Sequence, residues 1–249
     1  SAQKGGNAYI NCAFTSRTIR KIRQRYKDRK DSEPLLEEET ESTKTFYGGS
    51  ALAVKVRKSG KTYNLQSVHR DMPLERDNKE YFIIDGSNVC RYNSEQNEKR
   101  EAILCHVLSL CNMLSEADLN YRCYFDANLK YVISESLKST DLVIYDSMLK
   151  KFKDIFFEVP GSSDADAFIL QDASHNDAYV ITNDNYKDYR EQHEWLNDKA
   201  RLIKFMIKND KIIIPDMDAY YELHDDTKTA FDKLQYLHNN SIRKLSSVK

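Results

Sequence analysis

The chain has 249 residues, 40% of them hydrophobic and 31% charged, with a formal net charge of −1. That length suits one domain with a full core plus an appendage, or two small domains. The near-neutral balance excludes a generic polyanion binder, so a nucleic-acid surface must be a local patch; no apolar run approaches the ~20 residues that span a membrane.

The opening SAQKGG carries no signal-peptide core, so no secretory leader is expected. The five cysteines (Cys12, Cys90, Cys105, Cys111 and Cys123) are odd in number, and three lie in apolar segments. They read as reduced intracellular thiols, and without a CxxC pair no zinc site is expected. Residues 17–30, RTIRKIRQRYKDRK, form a strongly basic run with Ile19, Ile22 and Tyr26 at helical spacing. They predict a solvated basic helix or arm, with RNA contact or partner docking as the sharper alternative. The acidic DSEPLLEEETES follows, and residues 46–68 then predict a β-hairpin around Ser59-Gly60.

From Tyr81 the pattern becomes an alternation of strands and helices. Strands are predicted over 81–84, 121–125, 155–159 and 178–182, and helices over 98–117, 134–137, 146–152, 165–173 and 186–197. The first of these helices presents Ile103, Leu104, Val107, Leu108, Cys111 and Leu114 on one face. Segments 202–207 and 212–214 flank a turn at 208–211, and the tail from 218 to about 245 reads as helical. The organisation expected is an N-terminal extension (1–79), an α/β domain (80–217) and a helical tail (218–249). Strand–helix alternation predicts a mostly parallel sheet covered by helices on both faces, with any active site outside the carboxyl ends of the strands.

That rule selects carboxylates. The first strand runs YFII into Asp85, the loop after the third carries Asp164 and Asp166, and the fourth ends on Thr182-Asn183-Asp184, with Asp188 four residues on. A helix starting near Asp184 would turn Asp184 and Asp188 the same way. A single aspartate after a strand is commonly a helix cap or turn former, and Asp164 is a candidate cap. Several carboxylates at one edge repel one another and need protons or cations. Oxygen-only donors suit Mg²⁺ or Mn²⁺, and such clusters hydrolyse phosphodiesters. No phosphate-binding glycine loop, nucleophile elbow or HExxH spacing competes with this reading.

Four blocks, in order, resemble the NYN branch of PIN-domain nucleases, above all the Zc3h12a-like (Regnase, MCPIP) endoribonucleases. They are IIDGSNV at 83–89, DAFI at 166–169, TNDNYKD at 182–188, and Arg201-Leu202 with Asn209-Asp210-Lys211 and Pro215-Asp216. The resemblance covers roughly residues 80–217. It implies a PIN-like three-layer α/β/α sandwich and Mg²⁺- or Mn²⁺-dependent cleavage of single-stranded or loop RNA, leaving 5′-phosphate and 3′-hydroxyl ends. The acidic positions carry over to Asp85, Asp166, Asp184 and Asp188, and the motif asparagine to Asn88, which is expected to bond a ligand or the scissile phosphate. Lys187 and Arg190 are the expected RNA contacts, although both also read as ordinary exposed charges. Relatives commonly show two adjacent aspartates where this chain has Ala165-Asp166, which makes Asp164 a further candidate ligand. The family's CCCH zinc finger is not seen in this sequence, so RNA targeting is expected from the N-terminal region, the C-terminal helix or a protein partner. Self-association, a cytoplasmic or RNA-granule location with the nucleus open, and a role in mRNA decay or RNA silencing complete the expectation. The alternatives are a catalytically weak RNA-binding scaffold and a DNA-directed nuclease.

Overall fold

The computed structural model describes residues 53–55, 62–64, 80–92, 102–135, 139–161, 163–197 and 201–246. The basic run at 17–30 and the acidic segment after it lie outside the described residues. Of the predicted N-terminal hairpin, β1 (Ala53–Lys55) and β2 (Thr62–Asn64) pair antiparallel with Ala53 opposite Asn64; the turn itself lies outside the described residues.

The central sheet has five parallel strands in the order β5-β4-β3-β6-β7. They are β3 (Tyr81–Asp85), β4 (Asn120–Phe125), β5 (Phe156–Glu158), β6 (Tyr179–Ile181) and β7 (Leu202–Ile203). The middle strand is β3, with Asp85 opposite Tyr124 on one side and Ile84 opposite Ile181 on the other. Side chains of a strand alternate between faces. Phe82 and Ile84 therefore join the core on one side, with Phe125, Leu104 and Leu108, while Ile83 joins Phe168 and Val180 on the other. Both faces are covered by helices, giving the expected three-layer α/β/α sandwich. A strand buried on both sides needs apolar residues throughout, which is why YFII is uninterrupted.

The helices are α1 (Gly86–Cys90), α2 (Leu104–Glu116), α3 (Leu129–Glu135), α4 (Ser139–Lys151), α5 (Ala165–His175) and α6 (Thr227–Ser246). Sequence periodicity did not reveal α1, whose single turn is too short to show a repeat. Ile103, expected inside the helix predicted over 98–117, is extended, and its N–H bonds Cys90 O at 2.8 Å. Rather than one apolar face, α2 has every residue from Leu104 to Leu114 buried. Its polar positions meet the C-terminal region, where Asn112 donates to Ala230 O at 2.9 Å and Lys233 pairs with Glu116 at 2.9 Å.

Three expectations after β6 are corrected. The predicted helix at 186–197 is instead two short 3₁₀ turns, Lys187–Tyr189 and Glu194–Asn197, because Tyr186 adopts a left-handed conformation (φ 45°, ψ 44°). The predicted strand 202–207 is broken at Lys204-Phe205. Its first half joins the parallel sheet, and its second, β8 (Met206–Lys208), starts an antiparallel sheet with β9 (Lys211–Ile214) and β10 (Ala219–Glu222). The turn of that hairpin, Asn209-Asp210, has both residues at positive φ, the primed geometry that such residues tolerate. Finally, the tail is not helical from 218. Ala-Tyr-Tyr-Glu pairs with β9 first, and α6 begins only at Thr227, where Asp226 accepts from Thr229 N at 2.7 Å.

Candidate active site

The carboxyl ends of β3, β4 and β6 and the start of α5 carry the acids. Asp85 closes β3, caps α1 and is only 7% exposed. Its Oδ1 accepts from Asn88 N at 3.0 Å, and its Oδ2 accepts from Thr182 Oγ1 at 3.0 Å and Tyr186 OH at 3.2 Å. Gly86 follows because a Cβ there would stand 2.5 Å from a Phe125 ring carbon and 2.6 Å from Cys123 Sγ. Asn88 Oδ1 accepts from Asn183 N at 2.9 Å, and Asn183 Oδ1 accepts in turn from Phe205 N at 3.2 Å. Ser87 Oγ accepts from Asp126 N at 2.8 Å. The DGSN segment thus ties the ends of β4, β6 and β7 together. The role this gives the Asn88 carbonyl is to hold the loop that carries Asp184.

Asp166 lies half-buried in the first turn of α5 and accepts no hydrogen bond among the described residues. Burial first, then the neighbouring carboxylates of Asp85, Asp164, Asp184 and Asp126, push its carboxyl up to about 7. Burial also raises Asp85, to about 6, against the pull of its hydrogen bonds from Asn88, Thr182 and Tyr186. Asp164 acts as the cap of α5, accepting from Asp166 N at 3.2 Å, and its other oxygen accepts a hydrogen bond from Tyr189 OH.

Asp184 is exposed. Its Oδ1 accepts from Tyr186 N at 2.8 Å and its own N–H bonds Thr182 Oγ1 at 3.0 Å. This local turn takes the place of the expected helix, so the i, i+4 argument that joined Asp184 to Asp188 does not apply. Asp188 sits exposed on the 3₁₀ turn, with Lys187 and Arg190 exposed beside it. The edge thus gathers Asp85, Asp164, Asp166 and Asp184, while Asp188 acts electrostatically on Tyr189.

Sequence reading missed Asp126, Tyr186 and Lys204. Asp126 directly follows a predicted strand, so the rule that selected Asp85 selects it as well. It also pairs with Arg91 at 2.6 Å. The Tyr186 hydroxyl reaches Asp85 only through the left-handed backbone, and Lys204 Nζ donates to the Asp184 carbonyl at 2.6 Å across the break after β7. Tyr186 sits in the TNDNYKD block without a role that the block alone assigns, and Lys204 carries no local sequence signal.

The donor set suits a hard divalent cation: it is all oxygen, and its mutual repulsion now raises proton affinity where a cation would offset it. Among the described residues no three His, Cys, Asp or Glu side chains form a ready-made ion cage. Mg²⁺ is usually held by one or two carboxylates, the remaining positions being water and phosphate oxygens. Asp166, with no hydrogen bond to lose, and the second oxygen of Asp184 match that pattern.

A parallel α/β/α sandwich with aspartates gathered at the carboxyl edge of its central strand has the architecture of PIN-like nucleases. The chain belongs to the Zc3h12a-like ribonuclease NYN domain family, whose model matches residues 78–221. Among solved structures it is similar to the nuclear protein-only RNase P 2 (PRORP2) of Arabidopsis thaliana in two determinations. One is 18% identical, with a TM-score of 0.43 over 56% of this chain and 30% of that one. The other is 16% identical, with a TM-score of 0.45 over 58% and 31%. The matched part is thus under a third of each of those chains. No curated protein matches the sequence.

Proposed function

We propose that the protein is a divalent-metal-dependent endoribonuclease hydrolysing phosphodiester bonds of single-stranded or loop RNA. The observation that carries this is the meeting of Asp85 and Asp166 at the sheet edge, both raised in proton affinity by burial and by acidic neighbours. Asp85, Asp166 and Asp184 would hold Mg²⁺ or Mn²⁺ directly or through water, and Asp188, exposed on the neighbouring 3₁₀ turn, would add its charge from outside that group. Bound there, such an ion would supply Lewis-acid chemistry, polarising a phosphoryl oxygen and lowering the pKa of a water nucleophile. Thr182 and Tyr186 keep Asp85 oriented, and Asn88 and Asn183 hold the loop that presents Asp184. Lys187 and Arg190, on the exposed turn, contact RNA phosphates. The cleaved RNA carries 5′-phosphate and 3′-hydroxyl ends. The reading extends to a cytoplasmic role in RNA decay or silencing, with partner proteins or self-association directing the enzyme to its targets.

A labelled RNA incubated with Mn²⁺ and wild-type, Asp85→Asn or Asp184→Asn protein tests it. Wild type should cleave, and both variants should lose most of the activity. Equal cleavage by all three removes the assignment. One observation favours a second reading, a weak or inactive RNA-binding scaffold: the residue beside Asp166 is Ala165, which cannot ligate. No cleavage across several metals, with RNA binding that survives Asp85→Asn, selects that reading. RNA and DNA of one sequence, compared side by side, separate it from a DNA-directed nuclease.

A further inference from the structure

Partly buried cations in this fold follow a pattern with one exception. Arg91 pairs with Asp126, Arg122 with Asp172, Lys130 with Glu158, Arg201 with Asp177, Lys211 with Glu222 and Lys233 with Glu116. Among the described residues Lys204 alone is partly buried without a carboxylate partner. Its ammonium makes one hydrogen bond there, to the backbone carbonyl of Asp184. The Asp184 carboxylate acts on this ammonium electrostatically without pairing with it, its Oδ1 accepting from Tyr186 N instead.

The position is held from several sides. Thr182 N donates to Ile203 O at 3.1 Å, just before Lys204. Asn183 Oδ1 accepts from Phe205 N, just after it, and the Phe205 ring lies 5.2 Å from that of Tyr92. The break that ends β7 therefore sets this lysine against the loop carrying Asp184, at the carboxyl edge of the sheet.

An ammonium has three donors, and a structural lysine in a half-buried site recovers its lost hydration from a carboxylate, as the others here do. Among the described residues Lys204 commits one of its three donors, to the Asp184 carbonyl, and forms no ion pair, beside an edge rich in aspartates. A polyanionic strand approaching that edge needs a fixed cation close to the acids, and Lys204 is already tethered there. The exposed Lys187 and Arg190 have no comparable anchoring among the described residues.

We infer that the Lys204 ammonium binds a backbone phosphate of single-stranded RNA next to the acidic edge, making Lys204 a substrate-binding residue of the site. This rests on the nuclease reading above for its substrate but is measured without cleavage. The 249-residue wild-type, Lys204→Met, Lys204→Gln and Lys204→Arg chains are titrated with a fluorescent single-stranded RNA in EDTA, by anisotropy, at NaCl from 50 to 200 mM. One lost phosphate contact should flatten the slope of log K against log salt by about 0.7 and weaken binding about fivefold near 0.1 M salt. Lys204→Arg should keep both slope and affinity. Thermal midpoints identify a variant that fails to fold, and the methionine and glutamine variants provide independent readings.

Unchanged slope and affinity in both neutral variants overturns the inference, as does absence of RNA binding by the wild-type chain. A lowered midpoint with unaltered RNA binding also overturns it, by making Lys204 a structural tether only. A Lys204-dependent slope in a protein that cleaves no RNA with any metal supports the inference while removing the nuclease reading. Cleavage with an unchanged KM in Lys204→Met, alongside an unchanged slope, does the reverse.

Discussion

Asp166→Asn should make the metal-free protein more stable at alkaline pH while abolishing its proposed activity. The Asp166 carboxyl is raised from an ordinary 3.8 to about 7. An acid with a raised folded pKa releases its proton in the unfolded chain first. Stability is therefore lost as pH climbs from about 4 to about 7 and stays low above that range. At ~1.4 kcal/mol per pH unit, the shift caps the cost of ionised Asp166 at ~4 kcal/mol, and solvent screening of this half-buried group reduces it to ~2. For a chain of this size that is a rise of about 4–8 °C in Tm. Thermal unfolding in EDTA should show the variant within a degree or two of wild type at pH 4.5, and above it by that margin at pH 8. Adding Mn²⁺ at pH 8 should raise wild type and move the variant much less. A variant no more stable than wild type at pH 8 would refute the crowding of carboxylates at this edge, and with it the electrostatic basis for a cation there.

Tyr186→Phe removes one of two hydroxyl donors to Asp85 Oδ2. Because that bond favours the ionised carboxylate, the acid limb of the pH–rate profile with Mn²⁺ should move up by as much as ~1 pH unit; an unmoved limb means that the tyrosine does not tune Asp85. Gly86→Ala forces a methyl group onto the Phe125 ring and should destabilise the fold by ~1–3 kcal/mol in urea titrations, whereas a neutral effect would show that the close approach can relax. Arg122→Met strips the partner from Asp172, whose side chain is only 4% exposed. With Tyr124 and Asn176 as the remaining donors, a loss of ~3–5 kcal/mol is expected, and a loss below ~1 kcal/mol would mean that those two satisfy the carboxylate.

The first four strands of the parallel sheet were legible because each is a short, mostly apolar run stopped by a polar residue or a Pro-Gly turn, whereas Ala219–Glu222 was expected to be helical. Asp85, Asp166 and Asp184 were legible because a parallel sheet delivers its strand ends to one edge. The same rule covered Asp126, where only its application to the second strand was missing. The region after β6 was not legible: DNYKDYREQHEW has helical composition, but the Asp184 side chain captures the Tyr186 amide and turns the backbone left-handed. The break at Lys204-Phe205 was equally hidden, because LIKFMI reads as one strand until Asn183 takes the Phe205 amide.

The sequence by itself therefore determined the layer architecture and pointed to Asp85, Asp166 and Asp184 at the edge, since both follow from periodicity and the ends of strands. Tertiary structure decided what those acids do when they arrive. It made Asp164 a cap, gave Asp85 a buried tyrosine as a partner, separated Asp188 from the helix expected to present it, and set Lys204 beside the site without an ion pair. Hydrogen bonds between segments that are distant in the chain leave no periodic trace, and they are what turns an edge of aspartates into an arranged site.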